Sequence, residues 1–150
     1  MYATRPSREE FPRYAAEGNL IPVVAEFFAD RETPVTAYSK LAAHGPSFLF
    51  ESVEGGESVS RYSFLGANPR LVLTAGEGET HYRYRDGHTE SVPTPEDPLR
   101  LVEEEVERYR AVLPPGTPPF PGGAVGFLAY EYVHRLEPSV PRPGPERADT

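Results

Sequence analysis

Apolar positions recur along the chain at helical and at strand spacing, and glycines and prolines divide them into short elements. Ser7-x-x-Glu10 has the form of a capping box, and Phe11, Tyr14 and Ala15 follow at helical spacing as far as Gly18. Residues 20–29 are apolar and rich in β formers, with Pro22 confining them to an edge or a first strand position. Thr33-Pro34 sets an N-cap and a proline at the first helical position. Val35, Tyr38 and Leu41 or Ala42 then share one face until His44-Gly45-Pro46. Two apolar runs come next, Phe48 to Ser52 and Arg61 to Gly66, on either side of Gly55-Gly56, and Leu71 to Ala75 follows them. Thr80 to Arg85 alternates, with Tyr82 and Tyr84 on one face and His81, Arg83 and Arg85 on the other. Asp86-Gly87 turns the chain back through His88 to Val92. Asp97-Pro98 opens the clearest helix, with Leu99, Val102, Val106, Tyr109 and Leu113 inside and Glu103, Glu104, Glu107, Arg108 and Arg110 outside, up to Pro114-Pro115-Gly116. Gly122 to Leu128 reads as a buried strand, leading into a short helix near Tyr130 to Leu136.

Hairpins interleaved with helices, without a βαβ rhythm or an internal repeat, predict an α+β fold of antiparallel sheet layers with flanking helices. Residues 1–137 form the expected domain, and 138–150, with Pro141, Pro143 and Pro145, the expected linker. Composition narrows the class. A length of 150 residues suits one domain or a piece of a larger one, and 38% hydrophobic with 25% charged residues suits a soluble globular chain. No apolar run approaches the roughly 18–20 residues of a membrane span, and Met1 to Arg5 lacks the apolar core of a signal peptide, so a cytoplasmic location is expected. The absence of cysteine removes disulfides, thiolate zinc sites and a cysteine nucleophile. A net charge of -8, from 15 basic and 23 acidic residues, argues against a nucleic-acid partner.

The candidate chemistry lies around the Gly-Gly turn. If the two flanking runs pair, Glu51 and Ser52 come close to Arg61 and Tyr62, with Ser60 beside them. Such a corner offers oxygens for an ammonium, a guanidinium for bidentate contact with a carboxylate, and an apolar wall for a ring. That is the complement of a free amino acid. The same residues also fit a plainer description: an exposed strand end with a turn-forming serine, and a solvent-face arginine beside a core tyrosine. Gly122-Gly123-x-x-Gly126 lacks the lysine and hydroxyl of a phosphate loop, and Gly76-Glu77-Gly78-Glu79 would set two acids against a phosphate. His44, His81, His88 and His134 show no ligand spacing, and Glu103-Glu104-Glu105 reads as a solvated helix face.

Four segments, Glu17 to Val23, Thr33 to Tyr38, Arg61 to Asn68 and Pro121 to Glu131, together with Phe50-Glu51-Ser52, closely resemble the amino-terminal region of anthranilate synthase component I. The resemblance implies the fold of the chorismate-utilising enzymes and a place for the feedback inhibitor L-tryptophan at the Phe50-Glu51-Ser52 triplet, with Ser52 holding its polar end. It implies that Gly122 to Phe127 and Tyr130-Glu131 join a regulatory layer to a catalytic one. In the complete enzyme it further implies magnesium, conversion of chorismate and ammonia to anthranilate and pyruvate, and a glutamine amidotransferase subunit (component II) as partner. The magnesium ligands and catalytic residues of that family match nothing here, so the chain is expected to be inactive alone. The equivalent part of aminodeoxychorismate synthase component I, a free-standing amino-acid-binding module and a purely structural domain remain the alternatives.

Overall fold

The computed structural model of the chain describes residues 3–43, 45–51, 62–137 and 139–141. The expected linker therefore lies almost wholly outside the described residues. The elements in chain order are β1 (Thr4–Arg5), α1 (Phe11–Ala15), β2 (Val24–Ala25), α2 (Pro34–Ala42), β3 (Ser47–Glu51), β4 (Ser63–Ala67), β5 (Leu71–Ala75), β6 (Glu79–Tyr84), β7 (Thr89–Pro93), α3 (Leu99–Glu107), a 3-10 turn (Tyr130–Tyr132) and α4 (Val133–Leu136). All strand pairs are antiparallel, in sheets β1-β2, β3-β4 and β5-β6-β7. The fold is a mixed α+β arrangement of small antiparallel sheets with a few helices.

Local sequence explains most of these elements. The Ser7 amide donates to Glu10 and the Glu10 amide to Ser7 Oγ, the reciprocal pair of a capping box, one residue ahead of α1. Thr33 accepts from the Thr36 amide while Thr36 Oγ1 accepts from the Thr33 amide, and Pro34 supplies the first helical position of α2. Gly87, at φ 92°, turns β6 into β7, and Asp86 Oδ1 accepts from the His88 amide. Residues 20–29 are not one strand. Only Val24–Ala25 is paired, and Leu20 makes an isolated parallel bridge to Ala111.

The larger sheet and α3 hold the most buried groups. Tyr82, Thr80 and Glu105 are the buried residues of this unit, and Tyr82 is the one large hydrophobic side chain among the described residues that is nearly closed to solvent. Burial, followed by the charge of Glu105, pushes the Tyr82 phenol above its ordinary pKa. Glu105 corrects the expectation of a solvated Glu103-Glu104-Glu105 face. The residue is 8% exposed, and its carboxylate lies between Arg70 Nη2, 2.8 Å from Oε2, and Arg108 Nη1, 2.6 Å from Oε1. Oε1 has this ion-pair partner but accepts no well-aligned hydrogen bond. Arg70 also lies over the rings of Tyr109 and Tyr84, 5.2 and 6.0 Å from their centroids. One guanidinium thus ties the residue before β5 to the ends of β6 and α3.

The chain before β2 hangs on the end of α3. Asn19 Nδ2 donates to the Arg108 carbonyl at 2.9 Å, and Asn19 Oδ1 accepts from the Arg110 amide at 2.6 Å. A side chain at Gly18 would overlap the Arg110 carbonyl and Val112, so only glycine lets the two backbones approach. At the other end of α3, Asp97 Oδ1 accepts from the Leu99 amide and from the Tyr132 hydroxyl. That hydrogen bond raises the Tyr132 pKa. Arg135 donates to the carbonyls of Pro95 and Glu96, fixing α4 beside the start of α3.

The Gly122 to Leu128 expectation is also overturned. Residues 121–129 belong to no strand and are exposed throughout. Phe127 is 93% exposed and Leu128 53%. A buried strand needs a paired neighbour on its edge, and among the described residues no strand pairs with 121–129.

Removal of Arg70 should leave the Glu105 carboxylate with only one cation. Arg70→Ala is expected to cost about 1–2 kcal/mol, a charged hydrogen bond discounted for the half-exposed arginine. Glu105→Leu, which removes the buried charge itself, should cost less. Denaturant unfolding of both variants checks the order, and an Arg70→Ala chain as stable as the parent would refute the tie.

Candidate functional site

The two runs around Gly55-Gly56 do pair. β3 and β4 form an antiparallel ribbon in which Ser47 faces Ala67, Leu49 faces Leu65 and Glu51 faces Ser63. The Glu51 end of one strand and the start of the other are therefore neighbours, as the sequence pattern anticipates. Alternation gives the ribbon two unlike faces. Leu49 and Leu65 share the side of Glu51, and α2 packs against both strands, with Ser47 Oγ donating to Tyr38 Oη at 3.2 Å.

The opposite face is aromatic. The rings of Phe48 and Phe50 lie 5.2 Å apart, and Tyr62 stacks on Phe64 at 6.0 Å. Phe120 crosses the ribbon edge-on, 5.7 Å from Phe64 and 6.5 Å from Phe48. Gly66 faces Phe48 across the ribbon, and a Cβ there would overlap the Phe48 ring, so the missing side chain is what seats the phenylalanine. Between this face and the Phe120-to-Val125 segment lies an open cleft of about 220 Å³, with Gly122 and Gly123 at its lip.

Of the five residues assigned from sequence to amino-acid binding, Glu51 and Tyr62 can be placed. Both are exposed, and they occupy opposite faces: Glu51 projects with Leu49 and Leu65, Tyr62 with Phe50 and Phe64. Ser52, Ser60 and Arg61 lie outside the described residues. The ribbon brings the Glu51 and Tyr62 backbones together but does not set their side chains on one wall. Sequence reasoning passed over the aromatic face itself. Its signal was present as Phe48, Phe50 and Phe64 at strand spacing with a glycine opposite the first of them.

Other polar groups make local pairs. His81 Nδ1 lies 2.7 Å from Ser91 Oγ across β6 and β7, and His88 Nε2 lies 2.9 Å from Glu90 Oε1. Among the described residues there is no group of three or more His, Asp or Glu side chains that could hold a metal ion. None of their helices is long and apolar enough to cross a membrane.

The packing of Phe48 against Gly66 gives a direct test. Gly66→Ala should destabilise the chain by about 1–3 kcal/mol, because the ring or the strand must shift to admit a methyl group. Gly78→Ala, where the added methyl meets nothing within 4 Å, is the control and should be close to neutral. Equal melting temperatures for the two variants would show that the ring is not held as described.

No family model and no solved structure matches the chain. Curated relatives do. Anthranilate synthase component 1 of Synechocystis sp. is 44% identical over 144 residues, which is 94% of this chain and 28% of that protein. The protein of the same name from Mycobacterium tuberculosis is 44% identical over 139 residues, 90% of this chain and 27% of the relative. That of Pseudomonas aeruginosa is 41% identical over 143 residues, 93% and 29% respectively. The chain thus spans little more than a quarter of the length of these relatives. At such identity over nearly its whole length, the chain is homologous to one region of anthranilate synthase component 1.

Proposed function

We propose that the chain is the regulatory part of an anthranilate synthase component I. It would serve an enzyme that makes anthranilate and pyruvate from chorismate and ammonia in tryptophan biosynthesis. The observation that carries this reading is the 44% identity to the Synechocystis protein across 94% of the chain. In this reading residues 1–137 form the regulatory domain on the chorismate-utilising fold, and 138–150 lead toward the catalytic part. The enzyme works in the cytoplasm, with ammonia supplied by a glutamine amidotransferase partner, component II.

The feedback ligand is L-tryptophan, bound at the corner of the β3-β4 ribbon by Ser52, Glu51, Ser60, Arg61 and Tyr62. Support comes from the pairing of Glu51 with Ser63, which closes the ends of the two strands on one another, and from the aromatic face running up to Tyr62. An indole ring has stacking partners on that face, while its ammonium and carboxylate need the charged residues at the ribbon end. Because Glu51 and Tyr62 leave the ribbon on opposite faces, the two are assigned different ends of the ligand. Tryptophan resembles neither chorismate nor ammonia, so its effect must come from binding one arrangement of the enzyme better than another.

The carboxylates of the described residues do not converge on a common site, and the Glu105 carboxylate is committed to Arg70 and Arg108. In this reading magnesium belongs to the complete enzyme, as the family resemblance implies, and no step through it is assigned to this chain.

Two outcomes are expected. In the complete enzyme Ser52→Ala should weaken tryptophan inhibition roughly tenfold to a hundredfold, the loss of one hydrogen bond to a charged group, and largely spare uninhibited turnover. An unchanged inhibition curve removes Ser52 from the site. The isolated chain, assayed with chorismate, magnesium and ammonia, should form no anthranilate. Turnover abolished by a point substitution within it would instead place catalytic groups here.

A further inference from the structure

Alternation along β6 sends Thr80 and Tyr82 to the buried side of the sheet and His81 and Arg83 to the other, where both are exposed. The register sets Thr74 and Ser91 on either side of His81, and Val72 and Thr89 on either side of Arg83. The outer face thus has two rows of three side chains, with cross-strand neighbours about 5 Å apart and the rows about 7 Å apart. These rows hold an imidazole, a guanidinium, three hydroxyls and one valine, and no carboxylate. Acidic residues outnumber basic ones by 23 to 15 in this chain, and a face that only meets water gains by setting a carboxylate opposite its arginine. Here hydroxyls take those places.

Neither basic group is neutralised by a neighbour. Among the described residues the Arg83 guanidinium meets no carboxylate at ion-pair distance. His81 Nδ1 lies 2.7 Å from Ser91 Oγ, which fixes the ring and leaves Nε2 without a partner among the described residues. Glu90 pairs with Tyr82 in the register, and its Oε1 is 2.9 Å from His88 Nε2. Glu79 stands two positions before His81, at the end of the sheet opposite Pro93. An open hollow of about 440 Å³ lies over the two rows, with Val72, Thr74, His81, Arg83, Thr89 and Ser91 in its lining and Glu90 at its border.

We propose that the outer face of the β5-β6-β7 sheet is an oxyanion site that takes the phosphate group of a small organic phosphate monoester. The Arg83 guanidinium offers two parallel N–H groups to two phosphate oxygens. With Ser91 donating to His81 Nδ1, Nε2 carries the ring hydrogen and donates to the anion, and the Thr74 and Thr89 hydroxyls add two more donors. Five donors in two rows suit the three terminal oxygens of a monoester better than the two of a carboxylate. The hollow is larger than a phosphate group needs, which leaves the organic part a place beside Val72. A net charge of -8 repels anions at large, so binding here comes from these local groups and not from the field of the whole chain. The site shares no residue with the ribbon corner assigned to tryptophan and does not rest on that reading.

The test is an amide NMR titration of the chain at constant ionic strength, with glycerol 3-phosphate as the probe and inorganic phosphate and succinate beside it. Shifts should saturate and stay within residues 72–74, 81–83 and 89–91, and glycerol 3-phosphate should bind more tightly than either comparison ion. Arg83→Gln should weaken binding about tenfold or more and Thr89→Val about threefold, the losses of a charged and a neutral hydrogen bond, without moving the melting temperature. Arg13→Gln, which removes an equal charge in α1, should leave binding unchanged. Shifts that grow linearly without saturating overturn the proposal, as do equal losses in Arg83→Gln and Arg13→Gln. Succinate bound as tightly as the probe would show a site that reads charge alone, and inorganic phosphate bound as tightly would make the free ion the ligand. Either result overturns the monoester assignment. Thr89→Val decides the same question if Arg83→Gln does not fold.

Discussion

A carboxylate almost closed to water is costly unless cations meet it, and Glu105 sits at the junction of helix and sheet with one on each oxygen. The apolar contact between α3 and the β5-β6-β7 sheet is thin, since Tyr82 is the only large hydrophobic nearly buried among the described residues. Arg70, the residue before β5, pairs with Glu105 of α3 and lies over the rings of Tyr84 and Tyr109, which ties the helix to the sheet.

The segments around Asn19 and around Tyr132 to Arg135 then both depend on α3. Its C-terminal end presents the Arg108 carbonyl and the Arg110 amide to Asn19, and Gly18 allows the close approach. Its N-terminal end presents Asp97 to Tyr132 and the carbonyls before it to Arg135. The β3-β4 ribbon is organised differently, by aromatic stacking on one face and α2 on the other. Phe120 joins that aromatic face to the segment that ends on α4.

Elements whose cause is local were legible. Thr33-Pro34 caps α2, Asp86-Gly87 turns β6 into β7, Ser7 and Glu10 exchange hydrogen bonds, and Tyr82 and Tyr84 share a face, because each depends on residues a few positions apart. The misreadings concern residues whose environment is supplied from far along the chain. Glu105 lies in an acidic run that looks solvated, and its partner Arg70 is 35 positions away. Residues 20–29 have β composition, yet only two find a strand partner, and Leu20 bridges instead to Ala111. Gly122 to Leu128 has the composition of a buried strand but no described partner that would bury it.

By itself the sequence determined the α+β class, the pairing of its two hairpins, and the homology to a region of anthranilate synthase component 1. All three are carried by local pattern or by residue identity. Only the tertiary structure decided that Glu51 and Tyr62 leave the ribbon on opposite faces, that Glu105 is enclosed and that Phe127 is bare. Those outcomes depend on which strand pairs with which and on what covers each face, and burial is settled by the whole set of contacts.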